Sequence, residues 1–113
     1  MWVIMDNKTI AVDFDGTLCY SCWPRTGEPN IELIEELIIC RKKSDKLILW
    51  TCREGEALQI AIDWCKEHGL CFDAVNENLP DVISLFGFGN DSRKISCDLY
   101  IDDKSWLPNQ RLL

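Results

Sequence analysis

The sequence predicts one α/β domain over residues 1–113, built on a mostly parallel sheet, and three observations predict it. Short apolar runs alternate with amphipathic stretches of helical period. Those stretches are long enough to serve as the crossovers that parallel neighbours require. Several runs also end in polar residues, at Asp13, Thr51 and Asp102. Strands of an open α/β sheet deliver such residues to a common binding edge at their carboxyl ends.

Thr9 to Phe14 reads as a buried strand running into Asp13-Phe14-Asp15-Gly16-Thr17. Residues 18–29 carry Pro24, Gly27 and Pro29, which predicts a loop or short flap. Asn30 suits a helix N-cap, and Ile31, Ile34, Leu37 and Ile38 then share one face of a helix reaching Lys43. Lys46 to Trp50 is a second buried strand, ending at Thr51. Gly55 to His68 keeps helical spacing in its polar positions, and Gly69 stops it. Leu70 to Val75 reads as a third strand. Between Leu79 and Asn90, Pro80, Gly87 and Gly89 interrupt the pattern, with room for a helical turn over Asp81 to Phe86. Asp98 to Ile101 is the last strand, ending in Asp102-Asp103, and the tail from Lys104 shows no clear element.

Composition narrows the function. The formal net charge is −7, with 27% charged and 47% hydrophobic residues. That is a globular composition. Its sign disfavours sequence-independent nucleic-acid binding, which relies on Lys and Arg. No run is apolar enough to span a bilayer. Met1 to Asp6 lacks the basic and apolar regions of a secretory signal, so the expectation is a cytoplasmic protein. The seven cysteines are an odd number and mostly sit among apolar neighbours, which suits small buried hydrophobes in a reducing compartment. Cys19-Tyr20-Ser21-Cys22 has the spacing of a redox or half-zinc pair, but no second pair accompanies it.

The predicted strand ends bring Asp13, Asp15, Asp102 and Asp103 to one rim with Thr51, and Lys94 precedes the last strand. Carboxylates crowded this way cannot all stay ionised without compensation. A Mg2+ ion, which prefers oxygen ligands, supplies it. An Asp beside such an ion can attack phosphorus, and a second carboxyl two residues on can act as acid and base. Extended geometry would point Asp13 and Asp15 to the same side.

These segments resemble the motifs of the haloacid dehalogenase (HAD) superfamily, most of whose members are Mg2+-dependent phosphohydrolases. The likeness rests on Ile10-Ala11-Val12-Asp13-Phe14-Asp15-Gly16-Thr17-Leu18, Leu47-Ile48-Leu49-Trp50-Thr51, Lys94 and Leu99-Tyr100-Ile101-Asp102-Asp103. It implies a Rossmann-like three-layer fold and, since only residues 18–29 and 76–91 are available for insertions, a core without a cap domain. It further implies a phosphomonoester hydrolase with Asp13 as nucleophile and metal ligand, and Asp15 as general acid/base with its carbonyl on the metal. Thr51 and Lys94 would hold the phosphoryl group, and Asp102 and Asp103 would ligate Mg2+. The substrate expected is a small phosphorylated metabolite rather than nucleic acid, at a site left open unless a second copy of the chain covers it.

Plainer readings stand beside these. Asp13 and Asp15 could mark only a strand-to-turn boundary, Thr51 could cap the next helix, and Lys94 competes with Arg93 and Lys104. Trp23 and Arg25 in the flap are candidates for substrate contact. Arg53 has the fork geometry to clamp a phosphate or a carboxylate, or to form an ion pair at the helix start. A phosphate-binding or scaffold protein with little turnover is the alternative function. A receiver-like signalling module is a weaker one, because receivers carry their phosphoacceptor on a middle strand.

Overall fold

The computed structural model describes residues 7–86, 89–105 and 107–110. The readings of Met1 to Asp6 and of Gly87 lie outside them. The elements in chain order are β1 (Thr9–Val12), α1 (Ile31–Lys42), β2 (Lys46–Leu49), α2 (Gly55–Glu67), β3 (Ala74–Val75), α3 (Pro80–Phe86) and β4 (Leu99–Ile101). The strands form one parallel sheet in the order β3-β2-β1-β4. This is a small Rossmann-like α/β fold.

The strand sequences explain the sheet. In β1 and β2, alternate side chains face opposite layers, and both layers are dry, so after Thr9 and Lys46 at their starts Ile10 to Val12 and Leu47 to Leu49 are all apolar. Ile10, Val12, Leu47 and Leu49 meet Ile34 and Leu37 of α1 and Ala61, Trp64 and Cys65 of α2 in the larger core. Ala11 and Ile48 face the other way, onto Ala74 and Ile95, with Leu79, Trp50, Cys97 and Tyr100 at the margin. The layers are therefore unequal. Two full helices cover one face, while the other is covered by Leu79 and the segment leading to β4, and α3 buries no residue.

The ends of α1 follow local chemistry. The Asn30 side chain accepts a hydrogen bond from the Leu33 N–H at the N-cap, and Arg41 and Lys42 sit in the last turn, where cations complement the helix dipole. Of its predicted apolar face, Ile34 and Leu37 are buried, whereas Ile31 is exposed at the first position of the helix. The third strand is shorter than Leu70 to Val75. Leu70 is an anchor in the core, and the Asp73 side chain accepts from the Leu47 N–H (2.9 Å) while its own N–H donates to the Leu47 carbonyl (2.8 Å). The ladder proper begins at Ala74. The ambiguous stretch near Pro80 does form a helix, and proline suits its first position.

Topology decides where a ligand can sit. The chain runs from β1 outward through β2 to β3, then returns to β4 on the other side of β1. The order reverses between β1 and β4, and ligands of open parallel sheets bind at that reversal, outside the carboxyl ends.

Candidate active site

Asp13 follows the last residue of β1, and its N–H donates to the Ile101 carbonyl (2.9 Å), which ties it to the end of β4. Asp102 and Asp103 follow β4 directly. One carboxylate oxygen from each of Asp13, Asp102 and Asp103 lies within 4.8 Å of the others. The reversal point thus gathers three of the four predicted acids.

A tight turn shapes this corner. Phe14 is fully buried and meets Trp64 edge to face at 5.4 Å, and its carbonyl accepts the N–H groups of Thr17, Leu18 and Cys19. Gly16 takes φ +84°, and a side-chain carbon there would lie 2.4 Å from Asp103 Oδ2. Glycine is required both for the turn and for the close approach of Asp103. The buried Thr17 hydroxyl donates to Asp13 Oδ2 (3.1 Å) and accepts from the Asp103 N–H (3.1 Å), bridging the two ends of the sequence. Burial, and next the charges of Asp102 and Asp103, push the Asp13 carboxyl above its ordinary range, against the Thr17 hydrogen bond.

Asp15 parts from this trio. The strand has ended at Val12, so extended alternation does not carry through to Asp15. Its carboxylate receives a bidentate pair from Arg53, Nε to Oδ2 at 2.8 Å and Nη2 to Oδ1 at 2.8 Å. Arg53 is 1% exposed and is one of the largest fully buried side chains. Its other N–H groups donate to the carbonyls of Pro24 (3.1 Å), Ala57 (3.1 Å) and Arg25 (2.7 Å). The guanidinium lies 4.9 Å from the Phe14 ring and 5.0 Å from the Trp23 ring. Those bonds occupy all five N–H donors of an arginine. Arg53 therefore has no donor left for a substrate, which corrects the substrate-contact expectation and favours its ion-pair alternative, with Asp15 as the partner. Removing the Asp15 carboxylate would leave the buried guanidinium without its counter-charge, a destabilising change.

The flap is a folded-back loop. The Tyr20 N–H donates to the Glu28 carbonyl and the Arg25 N–H to the Cys22 carbonyl, each at 2.9 Å. Trp23 is 61% exposed and stacks on Arg53, while Arg25 contributes its carbonyl to the same guanidinium. Pro24, Arg25 and Thr26 face a cavity of about 670 Å³ shared with Glu56, Ala57 and Ile60, on the α2 side of the flap rather than over the acids.

Thr51 lies just past β2, and its hydroxyl accepts the Arg53 N–H (3.1 Å) within the loop; it does not cap α2, whose N-cap is Glu54. Asn76, at φ +55°, accepts the Thr51 N–H through its side chain (2.8 Å) and sets this loop. Lys94 lines a cavity of about 480 Å³ with Asp102, Trp50 and Tyr100. Its segment is held by Asn78, 2% exposed, which donates to Asp91 Oδ1 (2.7 Å) and accepts from the Ser96 N–H (2.7 Å). Lys104 Nζ pairs with Asp103 Oδ2 at 3.3 Å, and that contact, ahead of the charges of Asp13 and Asp102, raises its pKa. Sequence reasoning passed over Asn76 and Asn78. Asn following an apolar run in Val75-Asn76-Glu77-Asn78 was the available signal, since Asn tolerates positive φ. All seven cysteines are free thiols, Cys19 buried and Cys22 exposed.

Fold and site together define a small Rossmann-like α/β protein with a carboxylate cluster at the switch point of its sheet. No family model matches the chain, and no curated protein matches it. A solved structure of a conserved protein coded by a locus from Bacteroides thetaiotaomicron is 43% identical, with a TM-score of 0.76 over 88% of this chain and 78% of that one. The chain belongs to the family of that conserved protein. Among the described residues, no helix is long and apolar enough to cross a membrane.

Proposed function

We propose that this protein is a HAD-type, Mg2+-dependent phosphomonoester hydrolase acting on a small phosphorylated metabolite. The observation that carries the reading is the meeting of Asp13, Asp102 and Asp103 within 4.8 Å at the sheet's reversal point. The donor set fits the ion. It is all carboxylate oxygen, the ligand type Mg2+ prefers, and closing from the 4.8 Å envelope to the roughly 4.2 Å that opposite ligands of an octahedral Mg2+ span needs only a small side-chain movement. Asp13, Asp102 and Asp103 would hold Mg2+, with the Asp15 carbonyl completing the protein's share. The bound ion would supply positive charge against the phosphoryl oxygens and let the crowded acids remain ionised.

The chain's own residues then divide the work. An Asp13 carboxylate oxygen forms a bond to phosphorus. The ester P–O bond breaks, its electron pair stays on the leaving oxygen, and that oxygen takes a proton from Asp15. Water next attacks the phosphorus of the aspartyl-phosphate and gives its proton to Asp15. The P–O bond to Asp13 breaks, releasing phosphate and the free carboxylate. Thr51 and Lys94 hold the phosphoryl group, and Thr17 keeps Asp13 aimed through its 3.1 Å hydrogen bond.

The test is phosphate release across a panel of phosphomonoesters with Mg2+. Turnover is expected that stops reversibly on chelation and falls at least about 1,000-fold in Asp13→Asn, which keeps the fold. Turnover unchanged in that variant, or in excess chelator, refutes the reading. Binding of Mg2+ and phosphate without release from any ester would identify a phosphate-binding protein instead.

A further inference from the structure

We propose that Arg53 is a positioning residue that fixes Asp15 as the proton donor and locks the flap to it. The inference rests on the phosphatase reading above, but its geometry stands independently.

Three observations carry it. The clamp on Asp15 is bidentate, so it sets the carboxylate plane as well as its place. Arginine's fork takes one lone pair from each oxygen, and a carboxylate has about four such sites, so each oxygen keeps one on which the proton for the leaving-group oxygen can sit, or which can accept one from a water. The Asp15 side chain is 25% exposed while Arg53 is 0% exposed, so the open side of the acid faces solvent and the closed side faces the guanidinium. The same guanidinium holds the carbonyls of Pro24 and Arg25 and lies between the rings of Phe14 and Trp23. One side chain thus connects the β1 turn, the flap and the start of α2. A misplaced flap and a misplaced acid become the same event. Lysine has neither the fork nor the number of donors to replace it.

A residue that orients a proton donor affects poor leaving groups most, because good ones depart without a proton. The experiment compares kcat/KM, which reports steps up to transfer onto Asp13, for phenyl phosphate and 2,4-dinitrophenyl phosphate. Both are measured with Mg2+ in wild type, Arg53→Lys and Asp15→Asn. Phenyl phosphate hydrolysis should fall about 100-fold in Arg53→Lys, with the dinitrophenyl ester within about fivefold of wild type, and Asp15→Asn should show the same pattern. Equal losses on both esters in a folded Arg53→Lys protein would overturn the proposal. A wild type inactive on both esters would overturn the phosphatase reading alone. Amide and side-chain hydrogen exchange by NMR needs no turnover and covers an unfolded Arg53→Lys. In Asp15→Asn the Arg53 Nε–H and the Tyr20 N–H should both exchange faster than in wild type. Unchanged exchange at both would show that the acid and the flap are not linked through Arg53.

Discussion

Gly16→Ala tests the cluster more sharply than removal of any acid, because it adds one carbon and deletes no charge. At φ +84° the new Cβ would sit 2.4 Å from Asp103 Oδ2 and 3.0 Å from its Cγ. Ordinary contact begins a full ångström farther out, so the Asp103 carboxylate must retreat by about 1 Å. It has room to do so, since its side chain is 33% exposed. The stability cost is then dominated by the left-handed backbone, about 1–2 kcal/mol. The proposed metal site suffers more. Asp103 leaves the 4.8 Å group that it forms with Asp13 and Asp102, and Mg2+ demands near-ideal octahedral geometry. Mg2+ affinity should drop about 10- to 100-fold, the range seen when a ligand's support is disturbed. Calorimetric Mg2+ titration reads the affinity, and urea unfolding reads the stability. Wild-type Mg2+ affinity in a folded Gly16→Ala protein would refute the argument that Asp103 is held at the ion by this contact.

The remaining predictions concern the sheet's far end and the choice of cation. Asp45 is 4% exposed and accepts from the Lys8 side chain (2.8 Å) and the Lys8 N–H (3.0 Å). Burial pulls its pKa up, but the Lys8 hydrogen bonds and charge outweigh that, leaving it below 3.8. A depressed folded value means the stabilisation is fully present above pH 3.8 and disappears as pH falls through the folded value. Asp45→Asn should therefore cost about 1.5–3 kcal/mol near pH 7 by urea unfolding, and the gap from wild type should narrow below pH 3.8. A gap constant with pH would count against the ion pair. Under the proposed mechanism Lys94→Gln should lower kcat/KM about 100-fold in phosphate-release assays, and Lys104→Gln less than about fivefold, because Lys104 pairs with Asp103 and Lys94 is the residue assigned to the phosphoryl group. The reverse ranking would make Lys104 the phosphoryl-binding cation.

The strand-helix alternation and the arrival of polar groups at the carboxyl ends are legible in the order of residues alone. Apolar runs such as Ile10 to Val12 and Leu47 to Leu49 have few other ways to bury both faces. That order also placed Asp13, Asp102 and Asp103 at strand ends, because those residues directly follow β1 and β4. Tertiary structure decided which polar groups meet. Strand order put β4 beside β1, so acids some 90 positions apart in the chain share one corner. The turn after Val12 sent Asp15 away from its neighbour Asp13 and onto Arg53, a partner chosen by packing across 38 residues. Asn76 and Asn78 likewise act through partners distant in the chain, among them the Thr51 and Ser96 N–H groups and the Asp91 side chain. Local pattern fixes what a residue offers, but hydrogen bonds across the chain depend on how the layers stack. Which donor reaches which acceptor is settled only when the core closes.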